Sequence, residues 1–507
     1  MIYLILVDRF VNGDPANDGA IDLADPAAFH GGDLRGVMEK LPYLDDLGVD
    51  TIWLTPITRM RTTPFYGHGA FHGYWVEDLF KVEPRFGGED TVRALSDEVH
   101  RRGMRLVLDM VYNHVAPEGQ LTKTHPDWFH GRGSIQNWSD PVEVVEGQVH
   151  GLPDLAQENE AVYEHLLAAT LKWLALARPD GLRVDAVRHL PTSFLARLDA
   201  DLEGRVPEGF QLLGEVFDGD PLVVAKTQRE AKLDAVFDFP LHYAMVDVFC
   251  HGRHPGALGA VLSLDDAYDD PGGLVTFLDN HDTPRVLTAC GGQVDRVWDA
   301  LRFQFAVRGT PQITYGTEVG LTGAKEPENR GDMRFPMTAT GDLVRALAKE
   351  RRDHVALREG ETRHLALDDR FYAFARVTDG EAMLFAMNRG DAPRVVAGVE
   401  VPPKQVVVTP VKSVPPVGTA KVRIKVKKAP TERHAQLLLV GAGEMFGHWD
   451  PAKGIALPAT LELPREVYAY KLVVRHADGR IEWEEGDNRY LLPEKGVVKL
   501  TWRGKGP

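Results

Sequence analysis

Short apolar runs alternate with amphipathic segments through roughly the first 350 residues of the chain. Eight of these runs have the length and flanking residues of buried strands: Ile2–Val7, Thr51–Leu54, Arg105–Met110, Gly181–Val184, Gln211–Gly214, Ala235–Phe237, Val275–Leu278 and Gln312–Tyr315. Helical spacing of apolar residues between them predicts helices at Leu34–Leu47, Asp90–Arg102, Ala161–Ala177 and Phe194–Leu202. Such alternation predicts an α/β fold in which eight parallel strands close into a (β/α)8 TIM barrel, formed by residues 1–114 and 156–350.

The pattern changes at two places along the chain. After the third predicted strand, residues 115–155 are rich in Gly, Pro, Trp and His, and this stretch is too long for a simple loop. It predicts a small inserted domain over the mouth of the barrel. Beyond residue 350 the helical period fades, and short alternating strands predict an all-β domain over 351–408. A Pro-rich linker over 409–418 then leads to a last β-domain over 419–507.

Charge and hydropathy narrow the classes of partner. The chain carries a formal net charge of −16, which is spread along its length. This excess of negative charge argues against nucleic acid and against anionic membranes as partners. No apolar run reaches 18 residues, so no membrane-spanning helix is predicted. An uncharged substrate is compatible with all of these features.

The cysteines and the N-terminus bear on the cellular compartment. The only two cysteines, Cys250 and Cys290, lack the spacing of a metal site, and we predict two free buried thiols rather than a single disulfide. The N-terminal run lacks the basic start and the small-residue cleavage site of a signal peptide. We expect a secreted protein whose leader is absent from this chain, with a cytoplasmic location as the alternative.

Acidic residues recur where the predicted strands end. Arg183 and Asp185 stand two apart and therefore share one face of the fourth strand, where a carboxylate beside a guanidinium stays ionised. Glu215 follows the fifth strand and Asp282 follows the seventh. Barrel closure would crowd Asp185, Glu215 and Asp282 into one pocket, where mutual repulsion raises the pKa of at least one. A protonated acid beside a charged nucleophile is the equipment for glycoside hydrolysis.

Each motif also has a structural interpretation when it is taken alone. Arg183 and Asp185 could form an ion pair at a strand end, and Asn113-His114 could form a turn. The run Phe277-Leu-Asp-Asn-His-Asp282 is harder to explain in this way, because two acids and a histidine at a buried strand end cost stability unless they have a role. The occurrence of all these motifs in order at strand ends favours an active site.

The α-amylase family, glycoside hydrolase family 13, has four signature regions that this sequence resembles in the same order: Asp109-Met-Val-Tyr-Asn-His114, Gly181-Leu-Arg-Val-Asp-Ala-Val-Arg-His189, Gly214-Glu-Val-Phe217 and Phe277-Leu-Asp-Asn-His-Asp282. Leu152-Pro-Asp-Leu155 resembles a further signature, and the resemblance covers Ile2 to Val408. It implies Asp185 as the nucleophile, Glu215 as the general acid/base and Asp282 as the stabiliser of the transition state.

The same resemblance implies which residues hold the glucan. Arg183, His114 and His281 would grip the sugar at the cleaved bond. In Phe71-His-Gly-Tyr-Trp75 the ring of Tyr74 would stack on that sugar with His72 beside it, whereas plain core packing is the alternative for Tyr74.

Further residues are implied on both sides of the cleaved bond. Arg188 and His189 match positions on the leaving side. Glu326-Pro-Glu-Asn-Arg330 resembles the family's Asp-Pro-x-x-Arg, which binds the donor side, with Glu326 standing where the family has Asp.

Two groups of oxygen-bearing residues suggest calcium. A tight loop and the segment after it offer many hard oxygen ligands, namely Asn12, Asp14, Asn17, Asp18, Gly31 and Asp33. The pattern resembles the N-terminal calcium loop of cyclodextrin glucanotransferases, and an Asx-rich turn is the alternative. The family also implies a second calcium ion at Asn113 and Asp154, with a backbone oxygen of His189.

The last predicted domain carries two tryptophans among short strands. Its motifs resemble carbohydrate-binding module family 20, a starch-binding β-sandwich, over Thr419–Gly506. The resemblance implies one glucan site formed by Trp449, Lys471, Trp483, Glu484 and Asn488, whereas buried core tryptophans are the alternative. We expect a single site, because the aromatic residue of the family's second site is replaced by Leu438.

Taken together, these resemblances imply a monomeric, Ca2+-binding, retaining, endo-acting hydrolase of α-1,4-glucosidic bonds in starch that releases malto-oligosaccharides. A cyclomaltodextrinase or maltogenic amylase, and a cyclodextrin glucanotransferase, are alternatives on the same fold and would act on cyclodextrins. An inactive glucan-binding protein is an alternative of a different class, although the intact Asp185, Glu215 and Asp282 argue against it.

Overall fold

The computed structural model of the protein, which describes residues 1–416, 418–429 and 434–504, contains a closed barrel of eight parallel strands. The strands are β1 Ile2–Ile5, β2 Thr51–Leu54, β3 Arg105–Met110, β4 Gly181–Val184, β5 Gln211–Gly214, β6 Ala235–Phe237, β7 Leu274–Phe277 and β8 Thr310–Thr314. Each pairs with its neighbours in chain order, and β1 closes the ring by pairing Ile2 with both Thr51 and Gln312. The predicted (β/α)8 barrel is confirmed.

The barrel interior is filled by apolar side chains from several strands. Trp53, Val107, Leu213, Phe237 and Phe277 belong to one buried cluster, and each is at most 7% exposed. Strands buried on both faces are mostly apolar, with exceptions here such as Asp109 and Arg183, which is why all eight could be recognised in the sequence. β8 begins two residues before the predicted start, because Thr310 and Pro311 do not extend the apolar run.

Helices follow the strands as the alternation predicted. The predicted helix Leu34–Leu47 is divided at Lys40 into Leu34–Glu39 and Leu41–Leu47, because Pro42 has no N–H to donate and fits only the first turn of a helix. The remaining α-helices of this region are Glu89–Arg101, Gln120–Thr124, Pro141–Glu146, Glu160–Ala177, Thr192–Leu202, Pro221–Ala231, Phe239–Met245, Gly256–Leu262, Val286–Ala289, Val294–Ala306, Ala339–Asp353 and Val355–Glu359.

Two excursions rise from the carboxyl ends of the strands. The first follows β2 and contains the paired strands Thr58–Met60 and Val76–Val82. The second follows β3, and its two ends meet: His114 pairs with Asp154, and the Leu155 N–H donates to the Asn113 carbonyl at 2.9 Å. This inserted segment holds the helices Gln120–Thr124 and Pro141–Glu146 and the single turns Pro126–Trp128 and Val149–Gly151.

The chain forms two compact units. The first comprises Met1–Val246, Tyr268–Phe305 and Gly309–Arg352, and the second comprises Asp247–Ala267, Ala306–Arg308 and Asp353–Pro507. In the second unit, an antiparallel sheet pairs Glu361–Asp368, Phe371–Val377, Ala382–Asn388 and Gln405–Pro410 in that order, beside the hairpin Arg394–Val396 and Val399–Val401. Pro410 pairs with Met383, so the sheet continues two residues into the stretch predicted to be a linker.

The C-terminal β-domain is built from two sheets. In one sheet, Thr419–Lys427 lies between Ala459–Pro464 and Gly496–Thr501. The other contains Ile455–Ala456, Gln436–Gly441, Tyr468–Arg475, Ile481–Trp483 and Arg489–Leu491. Val422, Leu439, Phe446 and Leu472 share a buried cluster that draws on both sheets. The last three residues of the predicted β-domain, 505–507, lie outside the described residues.

Two further findings bear on the sequence predictions. Both cysteines, Cys250 and Cys290, are disulfide-bonded, so the prediction of two free thiols is wrong. Within the part of the chain that is described, no helix combines the length and the apolar character needed to cross a membrane.

Candidate active site

The carboxyl ends of the barrel strands surround a cavity of about 1170 Å3. The three acids predicted to be catalytic, Asp185, Glu215 and Asp282, all line it. So do eight of the predicted sugar-contacting residues: His72, Tyr74, His114, Arg188, His189, His281, Glu326 and Arg330. The structure therefore brings together residues that are far apart in the sequence.

Arg183 lies beneath the cavity floor, fully buried, and joins two of the acids. Its Nη1 donates to Asp185 Oδ1 at 2.6 Å, and its Nη2 lies 2.8 Å from Glu215 Oε1. Burial alone would lower the pKa of Arg183, but the neighbouring carboxylates of Asp109 and Glu215 raise it well above its ordinary value. One permanently charged guanidinium thus fixes the orientation of both acids.

Asp109 completes this buried group, and the sequence prediction did not include it among the site residues. It lies opposite Arg183 in the β3–β4 register and accepts from Arg183 Nη1 at 2.9 Å, from the Tyr74 hydroxyl at 2.8 Å and from Trp53 Nε1 at 3.1 Å. Burial raises the pKa of Asp109 to about 7. The signal for Asp109 in the sequence is that it begins the motif that ends in Asn113-His114.

A left-handed residue sets the chain direction after Asp185. Ala186 has a φ of +51°, a conformation that costs a non-glycine residue about 1–3 kcal/mol. This conformation directs the Ala186 N–H at Glu215, where it donates to Oε2 at 3.0 Å. The Val187 N–H donates to the Glu215 carbonyl. The strained turn therefore positions the end of β5 against the end of β4.

The carboxyl of Glu215 has the electrostatic character of an acid at neutral pH. Burial, together with the nearby carboxylates of Asp185 and Asp282, raises its pKa to about 8, although Arg183 opposes the rise. Because the charged form is disfavoured, the carboxyl retains its proton up to mildly alkaline pH.

Asp282 has the opposite character. Burial would raise its pKa, but His281, Arg330 and Arg183 outweigh burial and lower it. Arg330 Nη2 donates to Asp282 Oδ1 at 3.0 Å, and Arg330 Nη1 donates to Glu326 Oε1 at 2.6 Å. Glu326, where the resembling family has Asp, thus reaches the same arginine that holds Asp282.

Two parallel rings form the opposite wall of the site. The rings of Tyr74 and His281 stack with centroids 5.0 Å apart and an angle of 2° between their planes. The Tyr74 N–H donates to His72 Nδ1, and His114 Nε2 lies 3.2 Å from the Tyr74 carbonyl. Burial lowers the pKa of His281 to about 3 and the pKa of His72 well below its ordinary value, so both rings are neutral hydrogen-bonding groups. His72 Nε2 is buried without a protein partner.

Arg188 and His189 occupy the side of the cavity reached from β4 and β5. Arg188 pairs with Asp218 at 3.3 Å. His189 Nδ1 bonds the Val144 carbonyl of the inserted segment at 2.8 Å, so the inserted segment is held against the site. Trp138, also from the inserted segment, places its half-exposed ring 5.8 Å from the His189 ring.

Several cavity residues were not predicted from the sequence. Trp138 and Phe217 are 51% and 40% exposed and line the cavity, as do Tyr66, His68 and His150. Phe217 is the last residue of the motif that contains Glu215, so the sequence did carry a signal for it. Tyr66 and Trp138 lie in irregular segments, where the hydrophobic pattern carries no information about position.

The predicted N-terminal calcium residues converge only in part through side chains. Asn12 Nδ2 donates to both oxygens of Asp18, at 2.8 and 2.9 Å. A Cβ on Gly31 would lie 2.8 Å from Asp18 Oδ1, so the Gly31 backbone lies against the same carboxylate. Asp33 caps the helix Leu34–Glu39 through the Gly36 N–H, and its other oxygen accepts from the Asp14 N–H at 2.8 Å.

Three oxygens among the predicted calcium ligands have no partner in the protein. Asn17 Oδ1, Asn113 Oδ1 and Asp154 Oδ1 are each buried without a hydrogen bond. Asp154 Oδ2 lies 2.6 Å from His130 Nδ1, and burial raises the pKa of Asp154 to about 6. Across the residues that are described, no cluster of three or more His, Cys, Asp and Glu side chains has a metal-binding arrangement.

In the C-terminal β-domain the two predicted tryptophans lie close together. The rings of Trp449 and Trp483 are 6.5 Å apart, and Trp483 is 38% exposed. Lys471 Nζ donates to the Gly486 carbonyl, and Asn488 is half-buried in the same loop region. Glu484, in contrast, is 2% exposed and pairs with Arg489 at 2.7 Å and Arg503 at 3.2 Å, so the structure places it inside the domain and away from the rings' exposed faces.

Comparison with known proteins adds to this geometry. Residues 4–360 match the family model described as alpha amylase, catalytic domain, and residues 419–501 match that of the starch binding domain. A cyclomaltodextrinase of a Bacillus species is 33% identical over 430 residues, which cover 77% of this chain and 73% of that protein.

Two other similarities extend over different lengths. A beta/alpha-amylase of Paenibacillus polymyxa is 35% identical over 413 residues, which cover 76% of this chain but only 33% of that longer protein. The crystal structure of an Anoxybacillus α-amylase superposes with a TM-score of 0.74 at 32% identity, covering 98% of both chains.

Proposed function

Because this chain belongs to the α-amylase family of glycoside hydrolases, we propose that it cleaves internal α-1,4-glucosidic bonds of starch with retention of configuration and releases malto-oligosaccharides. The observation that carries the proposal is the pairing of Arg183 with both Asp185 and Glu215, which holds a nucleophile and a protonated acid on one guanidinium. Two carboxyl groups with different protonation at one sugar ring are what retaining hydrolysis requires.

The reaction follows from the roles of the two carboxyl groups. Asp185 attacks the anomeric carbon while Glu215 gives its proton to the glycosidic oxygen, so the C–O bond breaks and the leaving chain departs neutral. Glu215, now ionised, takes a proton from water, and the resulting hydroxide displaces Asp185 from the same face. Two displacements at one carbon return the original configuration.

The remaining cavity residues bind the sugar at the reaction centre. The Tyr74 ring offers an apolar face for stacking, and the neutral rings of His114 and His281 offer hydrogen bonds to sugar hydroxyls. Asp282, held by Arg330, keeps its negative charge and stabilises the positive charge that develops on the sugar ring in the transition state.

The test of this function uses soluble starch and a defined oligosaccharide. We expect new reducing ends from starch, and the α-anomer as the first product of maltoheptaose in proton NMR spectra recorded within seconds of mixing. An initial β-anomer would contradict the retaining mechanism. A complete lack of new reducing ends would leave only the alternative of an inactive glucan-binding protein.

Opening of cyclodextrins is the second candidate function. The inserted segment is short, and the relative of Bacillus is a cyclomaltodextrinase. Incubation with β-cyclodextrin distinguishes the candidates, since faster turnover of β-cyclodextrin than of starch would favour the second, and synthesis of cyclic products from starch would favour a glucanotransferase.

We also propose two calcium ions. The first would be held by Asn12, Asp14, Asn17, Asp18, Gly31 and Asp33, where the unpartnered Asn17 Oδ1 fits a hard cation, and the second by Asn113 and Asp154, whose unpartnered oxygens fit in the same way. Bound calcium supplies a positive charge that ties loops together. We expect a chelator to lower the melting temperature and added Ca2+ to restore it, whereas Asn17→Ala should weaken calcium binding in calorimetry. An unchanged melting temperature with chelator would contradict both sites.

For the C-terminal domain we propose glucan binding by the exposed faces of Trp449 and Trp483, with Lys471 and Asn488 at their edge. Stacking of a sugar on a tryptophan face needs little charge and tolerates an irregular polymer surface. A binding domain on the same chain raises the local concentration of enzyme at a starch granule.

Secretion is the proposed location. Disulfide bonds persist in oxidising compartments, and both cysteines of this chain are bonded. Fractionation of the source culture tests this, because activity confined to the cell extract would contradict secretion.

A further inference from the structure

One side chain of the cavity is exposed, strained and outside every role described so far. Tyr66 is 74% exposed, yet it lies at the tip of a well-formed two-residue turn. The Phe65 N–H donates to the His68 carbonyl and the His68 N–H donates back to Phe65, each at 2.9 Å. Tyr66 and Gly67, the two residues of the turn, have φ values of +50° and +81°.

The turn conformation makes tyrosine an unusual choice. Two-residue turns with positive φ at both positions strongly prefer Asn, Asp or Gly at the first position. A bulky residue there carries about 1–3 kcal/mol of strain, and such strain concentrates at functional sites. The turn would therefore form more easily without Tyr66, so turn formation does not explain this side chain.

Neighbouring rings fix the direction of the Tyr66 side chain. Its ring lies 4.2 Å from the Phe65 ring, the Phe65 ring lies 5.2 Å from Trp75, and Trp75 lies 4.6 Å from His72. These contacts form a continuous aromatic path out to the turn from His72, which lies close enough to the donor-side residue Arg330 for that charge to help lower the pKa of His72. The Tyr66 ring is therefore an extension of the donor side of the cleft.

The far end of the Tyr66 side chain meets the inserted segment. A Cβ on Gly151 would lie 3.1 Å from the Tyr66 hydroxyl, so the hydroxyl lies directly against the Gly151 backbone. Gly151 ends the turn Val149–Gly151, which lines the same cavity. Tyr66 thus spans from the excursion after β2 to the inserted segment after β3.

The leaving side of the cavity also contacts the inserted segment, where His189 Nδ1 bonds the Val144 carbonyl at 2.8 Å, but exposed rings lie beyond it. Phe217 lies beyond Glu215 with its ring 4.3 Å from Phe239, and Tyr243 follows on the same helix, 41% exposed. These rings extend outward from the acid as an open surface. The two ends of the cavity therefore differ, because Tyr66 spans one end whereas Phe217 and Tyr243 are exposed rings at the other.

We propose that Tyr66 and Gly151 close the donor end of the cleft and thereby limit how many glucose units lie on the donor side of the cleaved bond. This inference rests on the proposed function. In a retaining cleavage the donor side holds the non-reducing part of the chain. The contact therefore shifts the proposed cleavage away from deep internal bonds and toward the non-reducing end, so that maltose and maltotriose dominate the released donor fragments.

The test is Tyr66→Asn with maltoheptaose labelled at its reducing end. Asparagine suits the turn, so the variant removes the ring without disrupting the loop, and the melting temperature should be equal to or above that of the unchanged enzyme. We expect the ratio of unlabelled maltotetraose and longer fragments to unlabelled maltose to rise by about tenfold or more, the scale on which a steric limit in a binding site selects substrates. Tyr66→Phe keeps the ring and should keep the short fragments, and Thr62→Ala is a control in the same exposed loop.

Three results separate failure of this inference from failure of the proposed function. An unchanged fragment ratio in Tyr66→Asn, with turnover of starch retained, would overturn the role of Tyr66 alone. Loss of starch turnover in Tyr66→Asn at an unchanged melting temperature would show that Tyr66 acts on the chemical step. That result would also overturn the proposed role of Tyr66 at the donor end. No turnover of starch by the unchanged enzyme would overturn both proposals.

Discussion

The barrel and the C-terminal β-domain each carry a proposed site for glucan, and the two sites are built in opposite ways. In the barrel, charged groups are buried and satisfied by one another, with Arg183 and Asp109 almost fully enclosed. In the C-terminal domain, two rings are exposed to solvent, and the buried Glu484 forms ion pairs with Arg489 and Arg503. Holding a sugar needs apolar contact area, whereas breaking its bond needs carboxyl groups whose protonation is set by burial.

This comparison predicts that the largest single effect comes from the acid. Glu215→Gln keeps the shape and the hydrogen bond from Ala186 but cannot donate and recover a proton. We expect kcat on maltoheptaose to fall by about 10²–10⁴-fold, the usual contribution of general acid–base catalysis. Affinity for maltoheptaose, measured by calorimetry, should be retained. Substantial residual turnover would contradict the assignment of Glu215.

The next effect concerns the buried cation. Arg183→Met leaves the carboxyl groups of Asp109, Asp185 and Glu215 without their shared partner. Removal of one member of a buried ion pair costs about 3–5 kcal/mol. We expect a clear loss of stability in chemical unfolding followed by tryptophan fluorescence. Arg183→Lys, which retains the charge, should recover part of it, and equal stability of both variants and the unchanged enzyme would contradict a role for the shared charge.

The raised pKa of Glu215 predicts the dependence of activity on pH. The protonated form is the active form and its pKa is about 8, so activity is retained below that pH and lost above it. We expect kcat/KM to fall about tenfold for each pH unit above 8. Melting temperatures recorded across the same range separate titration from unfolding. A plateau that extends to pH 10 would be incompatible with Glu215 as the acid.

The smallest effect is expected in the C-terminal domain. Trp483→Ala should lower the affinity for granular starch by about tenfold, because loss of one stacking contact removes about 1.4 kcal/mol. Turnover of soluble maltoheptaose should not change. Glu484→Gln is the matched control, since it should reduce the stability of the domain while leaving the exposed rings in place. A greater loss of starch binding in Glu484→Gln than in Trp483→Ala would show that Glu484, and not Trp483, makes the main contact with glucan.

The barrel could be predicted from the sequence because its signal is physical and local. Buried parallel strands are mostly apolar, so the sequence predicts all eight to within two residues at either end. Placement of Asp185, Glu215 and Asp282 in one cavity then follows from topology alone. The division of the helix at Lys40 was missed, although Pro42 was visible in the sequence.

Other features depend on distances that a sequence does not contain. The bonded state of the cysteines depends on the fold, and the pairing of Asp109 with Arg183 joins positions that are 74 residues apart. Glu484 was placed at the glucan surface by resemblance, but the neighbouring Arg489 and Arg503 draw it inside. Tyr66 was missed because a turn with positive φ is a property of the backbone, and tyrosine is the residue least expected there.

The junction between His114 and Asp154 has a consequence for how such enzymes can be altered. Main-chain hydrogen bonds join the two ends of the inserted segment. The barrel therefore connects to the same short pair of chain segments whatever the length of the segment between them. Loop closure depends only weakly on length, so a longer or shorter cassette could be grafted between these residues at little thermodynamic cost. Substrate range would then change by exchange of a module, with the reacting carboxyl groups untouched.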